Sequence, residues 1–113
     1  VSAFAPIVSP MNCSWGHKAL GKYIGEDRSA WANYDACALL LQAGDASNEP
    51  EILIDQGLAD PFLQSQLMPE RFEEACEAVG QEVNIRRHDG YDHGYFFISS
   101  FVEDHLKHHA AIL

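Results

Sequence analysis

From Glu51 to Asp55 the chain reads Glu-Ile-Leu-Ile-Asp, three consecutive aliphatic residues between two carboxylates. A continuous apolar run of this length suits a strand covered on both faces, as inside a parallel sheet; a strand open to water on one face alternates instead. Parallel neighbours cannot be joined by a hairpin and need a long crossover, usually a helix. A fold built on this run therefore needs helices before and after it.

Both are present. Downstream, Pro69 opens a helix at the first-turn position, where its missing N–H goes unused, and Glu70, Glu73 and Glu74 follow where the helix dipole favours negative charge. Phe72, Ala75, Cys76 and Val79 form an i, i+3, i+4, i+7 stripe, and Gly80 closes the element. Residues 82–87 alternate and read as a more exposed strand near an edge, with Arg86 and Arg87 reaching solvent. Residues 94–113 form the longest helical stretch. Tyr95, Ile98, Val102 and Leu106, flanked by Phe97 and Phe101, make its apolar face, and Glu103, Asp104 and Lys107 its polar side.

Upstream, residues 1–7 read as a short buried strand stopped by Pro6, which the chain enters without a preceding turn. Residues 15–25, 28–34 and 34–43 read as helical, the last through Ala36, Leu39, Leu40 and Ala43 with Gly44 as its stop. The order strand, helices, strand, helix, strand, helix predicts an α/β fold of about three mostly parallel strands with flanking helices.

Charge narrows the partners. Residues 1–56 carry three basic and seven acidic side chains (net −4) and residues 57–113 four and ten (net −6), for −10 in all with histidines neutral. A surface of this sign repels phosphate backbones and anionic lipid, so neither a nucleic acid nor a membrane is an expected partner. No apolar run approaches the ~18 residues of a membrane span, and no basic-then-apolar leader stands at the start. Cys13, Cys37 and Cys76 are odd in number and not closely paired, which predicts a cytoplasmic protein whose cysteines serve mainly as small buried apolar residues.

In open parallel sheets, function gathers where the strands deliver their following loops. Two polar loops fit: residues 55–60 after the second strand and residues 88–93 after the third. One crossover separates Asp60 from His93, which brings an acid and an imidazole to one sheet edge. Acid before histidine is the order of the last two members of the α/β-hydrolase triad, where the carboxylate fixes the imidazole that takes the serine proton. A turn-forming Asp60 and a helix-capping His93 would give the same spacing.

Longer blocks carry a more specific signal. Ser2-Ala3-Phe4-Ala5-Pro6-Ile7, Cys13-Ser14-Trp15-Gly16-His17-Lys18-Ala19, Ile52-Leu53-Ile54-Asp55-Gln56-Gly57 with Asp60 and Phe62-Leu63, Gly90-Tyr91-Asp92-His93 with Tyr95-Phe96-Phe97-Ile98, and Asp104-His105 with His108-His109-Ala110 follow one another in the chain. In this order they closely resemble the S-formylglutathione hydrolases, the esterase D family of α/β-hydrolases, over essentially all 113 residues. The resemblance implies a serine thioesterase that hydrolyses S-formylglutathione to glutathione and formate in formaldehyde removal, with side activity on small esters and no cofactor or metal. It implies Asp60 as triad acid and His93 as triad base.

The family's nucleophile, the serine of a G-x-S-x-G elbow, has no counterpart: none of Ser2, Ser9, Ser14, Ser29, Ser47, Ser65, Ser99 or Ser100 stands in that motif. The family places the elbow and the oxyanion hole N-terminal to this segment. Residues 1–113 are therefore expected to be the C-terminal segment of a single hydrolase domain, inactive alone, whose partner is the missing N-terminal half or a second copy of the chain. A non-catalytic fragment that only packs or self-associates is the alternative. Gly94 is a further departure, since the family commonly has Ser directly after the histidine.

Several residues keep two readings. Trp15 is a wall of the acyl or glutathionyl pocket or a core side chain; Cys13 is a thiol near the site or a buried apolar residue. Asp92, beside His93, reads as a turn or capping residue, and Asp55 as a loop-anchoring acceptor. His105, His108 and His109 have a spacing that can bind metal, as does the loop with His88, Asp89, Asp92 and His93, but an exposed or interface-facing histidine surface and a metal-free triad are the expectation.

Overall fold

A computed structural model describes residues 1–113. Three strands, β1 (Ser2–Phe4), β2 (Ile52–Gly57) and β3 (Val83–His88), form one parallel sheet with β2 in the middle. The Ile-Leu-Ile run is thus the inner strand, and β3 lies at an edge. β2 continues two residues past Asp55 and is buried from Leu53 through Gly57.

β1 stops at Phe4, three residues short of the expected end. Ala5 takes a left-handed backbone, φ +43°, and Pro6 follows with no N–H to offer. A residue with a Cβ pays about 1–2 kcal/mol for that conformation. The Ala5 N–H still donates to the Asp55 carbonyl (2.9 Å), so the ladder runs one residue beyond the strand.

The helices are α1 (Ser14–Tyr23), α2 (Ala36–Ala43), α3 (Pro69–Val79) and α4 (Tyr95–Ala110), with a 3₁₀ helix at Arg28–Tyr34. Asp35 separates that helix from α2. It is buried, accepts the Ala38 N–H at the start of α2 (2.9 Å), and takes hydrogen bonds from Ser9 Oγ and the Met11 N–H. The covered side of α2 is Cys37 with half-buried Leu40, while Ala36 and Leu39 are exposed, a shift from the expected stripe. In α3 the expected stripe holds, with Phe72, Ala75 and Cys76 buried and Gly80 ending the helix at φ +75°.

Helices α2 and α3 cover one sheet face, in a core of Val8, Cys37, Ile54, Phe72, Ala75 and Cys76. Burial pushes the Cys37 and Cys76 thiols up to about 11, with Asp35 adding at Cys37 and Glu73 at Cys76. Helix α4 covers the other face through Phe97, against Ala5 and Leu67, with Phe4, Ile98 and Phe101 alongside. Its inward side is Phe97, Phe101, Asp104 and His105, whereas Tyr95, Val102 and Leu106 are exposed. The expected apolar face is therefore rotated, because the sheet surface beneath α4 carries Asp55 and Arg86, whose partners are His105 and Asp104. No helix is long and apolar enough to cross a membrane.

Candidate active site

Parallel β2 and β3 end together, Gly57 opposite His88, and release their loops at the same edge. The loops are joined by backbone hydrogen bonds: Leu58 N–H to the His88 carbonyl and Ala59 N–H to the Tyr91 carbonyl, both 2.9 Å. Gly57 makes this approach possible, since a Cβ there would lie 2.3 Å from the Tyr91 carbonyl oxygen and 2.9 Å from that of Asp92. Gly57→Ala is accordingly expected to push the His93 loop off β2. If hydrolysis depends on the pair, turnover should fall about 10²-fold, the scale of an ångström of misplacement, with the fold intact by circular dichroism.

Asp60 and His93 meet across this junction. His93 Nδ1–H donates to Asp60 Oδ2 at 2.7 Å, the Phe62 N–H donates to Asp60 Oδ1 at 2.8 Å, and the Asp60 side chain is fully buried. The His93 ring remains about one-third exposed. With Nδ1–H committed to the carboxylate, the neutral ring carries its lone pair on Nε2, ready to take a proton. Asp92 makes no hydrogen bond to His93, and it neither lies in the Asp89–Gly90 turn nor caps α4. Gly94 occupies the cap of α4 in extended backbone (φ −138°) with no side-chain cap.

Trp15 stands at the same edge. Its ring lies 4.4 Å from that of Phe62, and Phe62 meets His93 edge-on at 5.5 Å. The link is built by one π-helical turn after Asp60, with Leu67 N–H bonded to Phe62 O and Met68 N–H to Leu63 O. That turn aims Gln66 at α1, where Oε1 accepts the Trp15 N–H (2.9 Å) and Nε2 donates to Ser14 Oγ (2.8 Å). Trp15 is 40% exposed, so it is not a core side chain here. Cys13 is buried, its Sγ accepting the Gly16 N–H at the α1 cap. A shallow cavity of about 70 Å³ opens beside His93 over Phe4, Ala5, Phe97 and Ile98. The largest cavity, about 450 Å³ between α2, α3 and the Pro10–Asn12 turn, shares no residue with the pair.

Two arrangements were not legible beforehand. Gln56, fully buried at the end of β2, donates from Nε2 to Asp60 Oδ2 (3.1 Å) and to the Gly57 carbonyl (3.0 Å). Asp55, also fully buried, accepts four hydrogen bonds: Arg86 Nε and His88 Nε2 on Oδ1 (both 2.7 Å), Arg86 Nη2 and His105 Nε2 on Oδ2 (2.6 and 2.8 Å). Phe4 stacks on His105 and Phe101 on His88, each at 3.8 Å. Burial works hardest against the charged form of Asp55. The bonds from Arg86, His88 and His105, with the Arg86 charge, outweigh it and hold the carboxyl below its ordinary range.

This cluster corrects three expectations. Asp55 is an acceptor, but it anchors β3 and α4 rather than a loop. Arg86 turns into the molecule, spanning Asp55 and Asp104, and only Arg87 pairs at the surface, with Glu73. His105 is buried on Asp55 and His108 is half-buried, so only His109 of the three is exposed, and it meets Ser2 Oγ at 2.9 Å.

Comparison with known proteins fits this frame. The esterase family model, described as "Putative esterase", matches residues 1–108. An S-formylglutathione hydrolase of Arabidopsis thaliana is 50% identical over all 113 residues, which correspond to 39% of that protein. The solved structure of an S-formylglutathione hydrolase from Agrobacterium tumefaciens superposes with a TM-score of 0.88 at 52% identity, over 97% of this chain and 39% of that one. The chain thus spans about two-fifths of the length of the relatives it matches. With its parallel sheet, its flanking helices and this extent of similarity, the chain belongs to the esterase family, with S-formylglutathione hydrolases among its relatives.

Proposed function

We propose that these 113 residues are the C-terminal segment of a serine thioesterase and carboxylesterase that hydrolyses S-formylglutathione, and small esters, in the cytoplasm. The observation that carries the reading is the 2.7 Å contact of His93 Nδ1 with buried Asp60 at the edge where β2 and β3 end. The nucleophilic serine and the oxyanion hole belong to the remaining length of the protein, N-terminal to Val1. The serine attacks the formyl carbonyl while His93 Nε2 takes its proton, and Asp60 stabilises the imidazolium. His93 then returns the proton to the departing glutathione sulfur. Water activated by His93 releases formate and restores the serine.

Trp15, held over Phe62 by Gln66, forms one wall of the pocket for the acyl or glutathionyl group. The test is a chimera in which these residues replace the matching segment of the Agrobacterium tumefaciens protein. S-formylglutathione turnover is expected, with a severalfold rise in KM for Trp15→Ala. A folded chimera without turnover contradicts the function, and unchanged kinetics in the variant contradict the Trp15 role alone.

A second reading, a non-catalytic fragment that only packs or self-associates, draws on the exposed Tyr95, Phe96 and Leu106 of α4. It is distinguished by the same assay, because it leaves the chimera unable to use Asp60 and His93.

A further inference from the structure

Gln56 is buried completely, yet its side-chain Oε1 has no hydrogen-bond partner. A buried polar atom left unsatisfied is costly, and flipping the amide is the usual remedy. Here the flip is closed off. The two groups that Nε2 meets, Asp60 Oδ2 and the Gly57 carbonyl, are both acceptors, so turning Oε1 toward them would set oxygen against oxygen. The amide is therefore held with both N–H bonds spent at the end of β2 and its oxygen unpaired.

One of those N–H bonds lands on Oδ2, the same oxygen that takes His93 Nδ1–H. Asp60 is thus fixed from both sides, by Gln56 on Oδ2 and by the Phe62 N–H on Oδ1. A donor on Oδ2 also draws charge from the atom that must stabilise the imidazolium. The other titratable groups on the surrounding elements, Asp89, Tyr91 and Asp92 in the His93 loop, Tyr95 at the start of α4, and His17, Lys18, Lys22 and Tyr23 on α1, make no hydrogen bond to Asp60 or His93. Gln56 is the one side chain besides His93 that hydrogen-bonds the carboxylate.

We propose that Gln56 is a positioning residue of the esterase site, locking the rotamer of Asp60 and limiting how strongly that carboxylate favours protonated His93. The inference rests on the Asp60–His93 reading above. Its sign is definite. Without the Gln56 N–H, Oδ2 is a stronger partner for imidazolium, and activity that needs the neutral ring is lost sooner on acidification.

The test is the pH dependence of kcat/KM for the chimera and its Gln56→Met variant. The acid limb is expected to move up by about half a unit to one unit, the scale of one hydrogen bond, with kcat lowered severalfold. Gln56→Asn, which keeps an amide but is one methylene short of Asp60, is expected to do the same and serves if the Met variant does not fold. Phe72→Leu, a core change in the cluster with Val8, Ile54 and Cys76, should lower the melting temperature and leave the limb in place. An unmoved or downward limb in a folded Gln56 variant, with His93→Ala inactive, overturns the inference. If His93→Ala keeps full activity, the Asp60–His93 reading fails instead.

Discussion

In the chimera, His93→Ala is expected to abolish S-formylglutathione hydrolysis, with kcat falling on the order of 10⁶-fold, and Asp60→Asn to cost about 10⁴-fold. The two losses differ because the residues act in series. His93 exchanges the proton directly, whereas Asp60 acts through it. An amide at position 60 presents a donor as readily as an acceptor to Nδ1, and a ring that keeps its proton on Nε2 cannot serve as base. The double variant should be no slower than His93→Ala, since an orienting group is worthless without the group it orients. Steady-state kinetics measure all three. A double variant slower by the product of the single effects would show that Asp60 works independently of His93.

The second large effect concerns stability. Asp55→Ala removes a buried carboxylate that neutralises Arg86 and accepts from His88 and His105, leaving the two histidines without that acceptor and Arg86 with Asp104 alone. Breaking a buried pair in this way costs about 3–5 kcal/mol, a large part of the stability of a domain. Helix α4 should loosen from the sheet, and His93, two residues before Tyr95, with it.

The pH dependence has a definite sign. The folded carboxyl is held below its ordinary value, so the contribution of Asp55 is complete above the unfolded carboxylate value of about 3.9 and is lost as pH falls through the lower folded value. Urea unfolding between pH 6 and pH 3 should show this acid loss in the parent protein and a flatter dependence in Asp55→Ala. Equal slopes would remove the cluster from the account.

What the sequence made legible follows the range of the forces involved. The Ile-Leu-Ile run showed its double burial because nothing polar interrupts it, and α3 was bounded by Pro69 and Gly80, whose backbone constraints are local. Asp60 and His93 were placed by topology, each at the end of its strand. Asp55 was legible as an acceptor but not as a hub, because its donors come from β3 and α4 and no local pattern ties position 55 to position 105.

The inward face of α4 was misread for the same reason. Tyr95, Val102 and Leu106 form a proper apolar stripe, yet the surface beneath the helix carries a charge, and the helix turns Asp104 and His105 toward it. Gln56 and Gln66 carried no signal in themselves. Their roles arise from the loop junction over Gly57 and from the π-helical turn, both set by tertiary contact.

The central claim is that this chain holds the acid and the base of an esterase whose nucleophile lies elsewhere in the protein. The direct measurement is hydrolysis of a chromogenic acyl ester and of S-formylglutathione by the 113 residues alone and after addition of the separately produced N-terminal portion of the Agrobacterium tumefaciens relative. No turnover by the chain alone, with turnover appearing on mixing and lost again with His93→Ala, is the predicted result. Robust turnover by the isolated chain would contradict the claim.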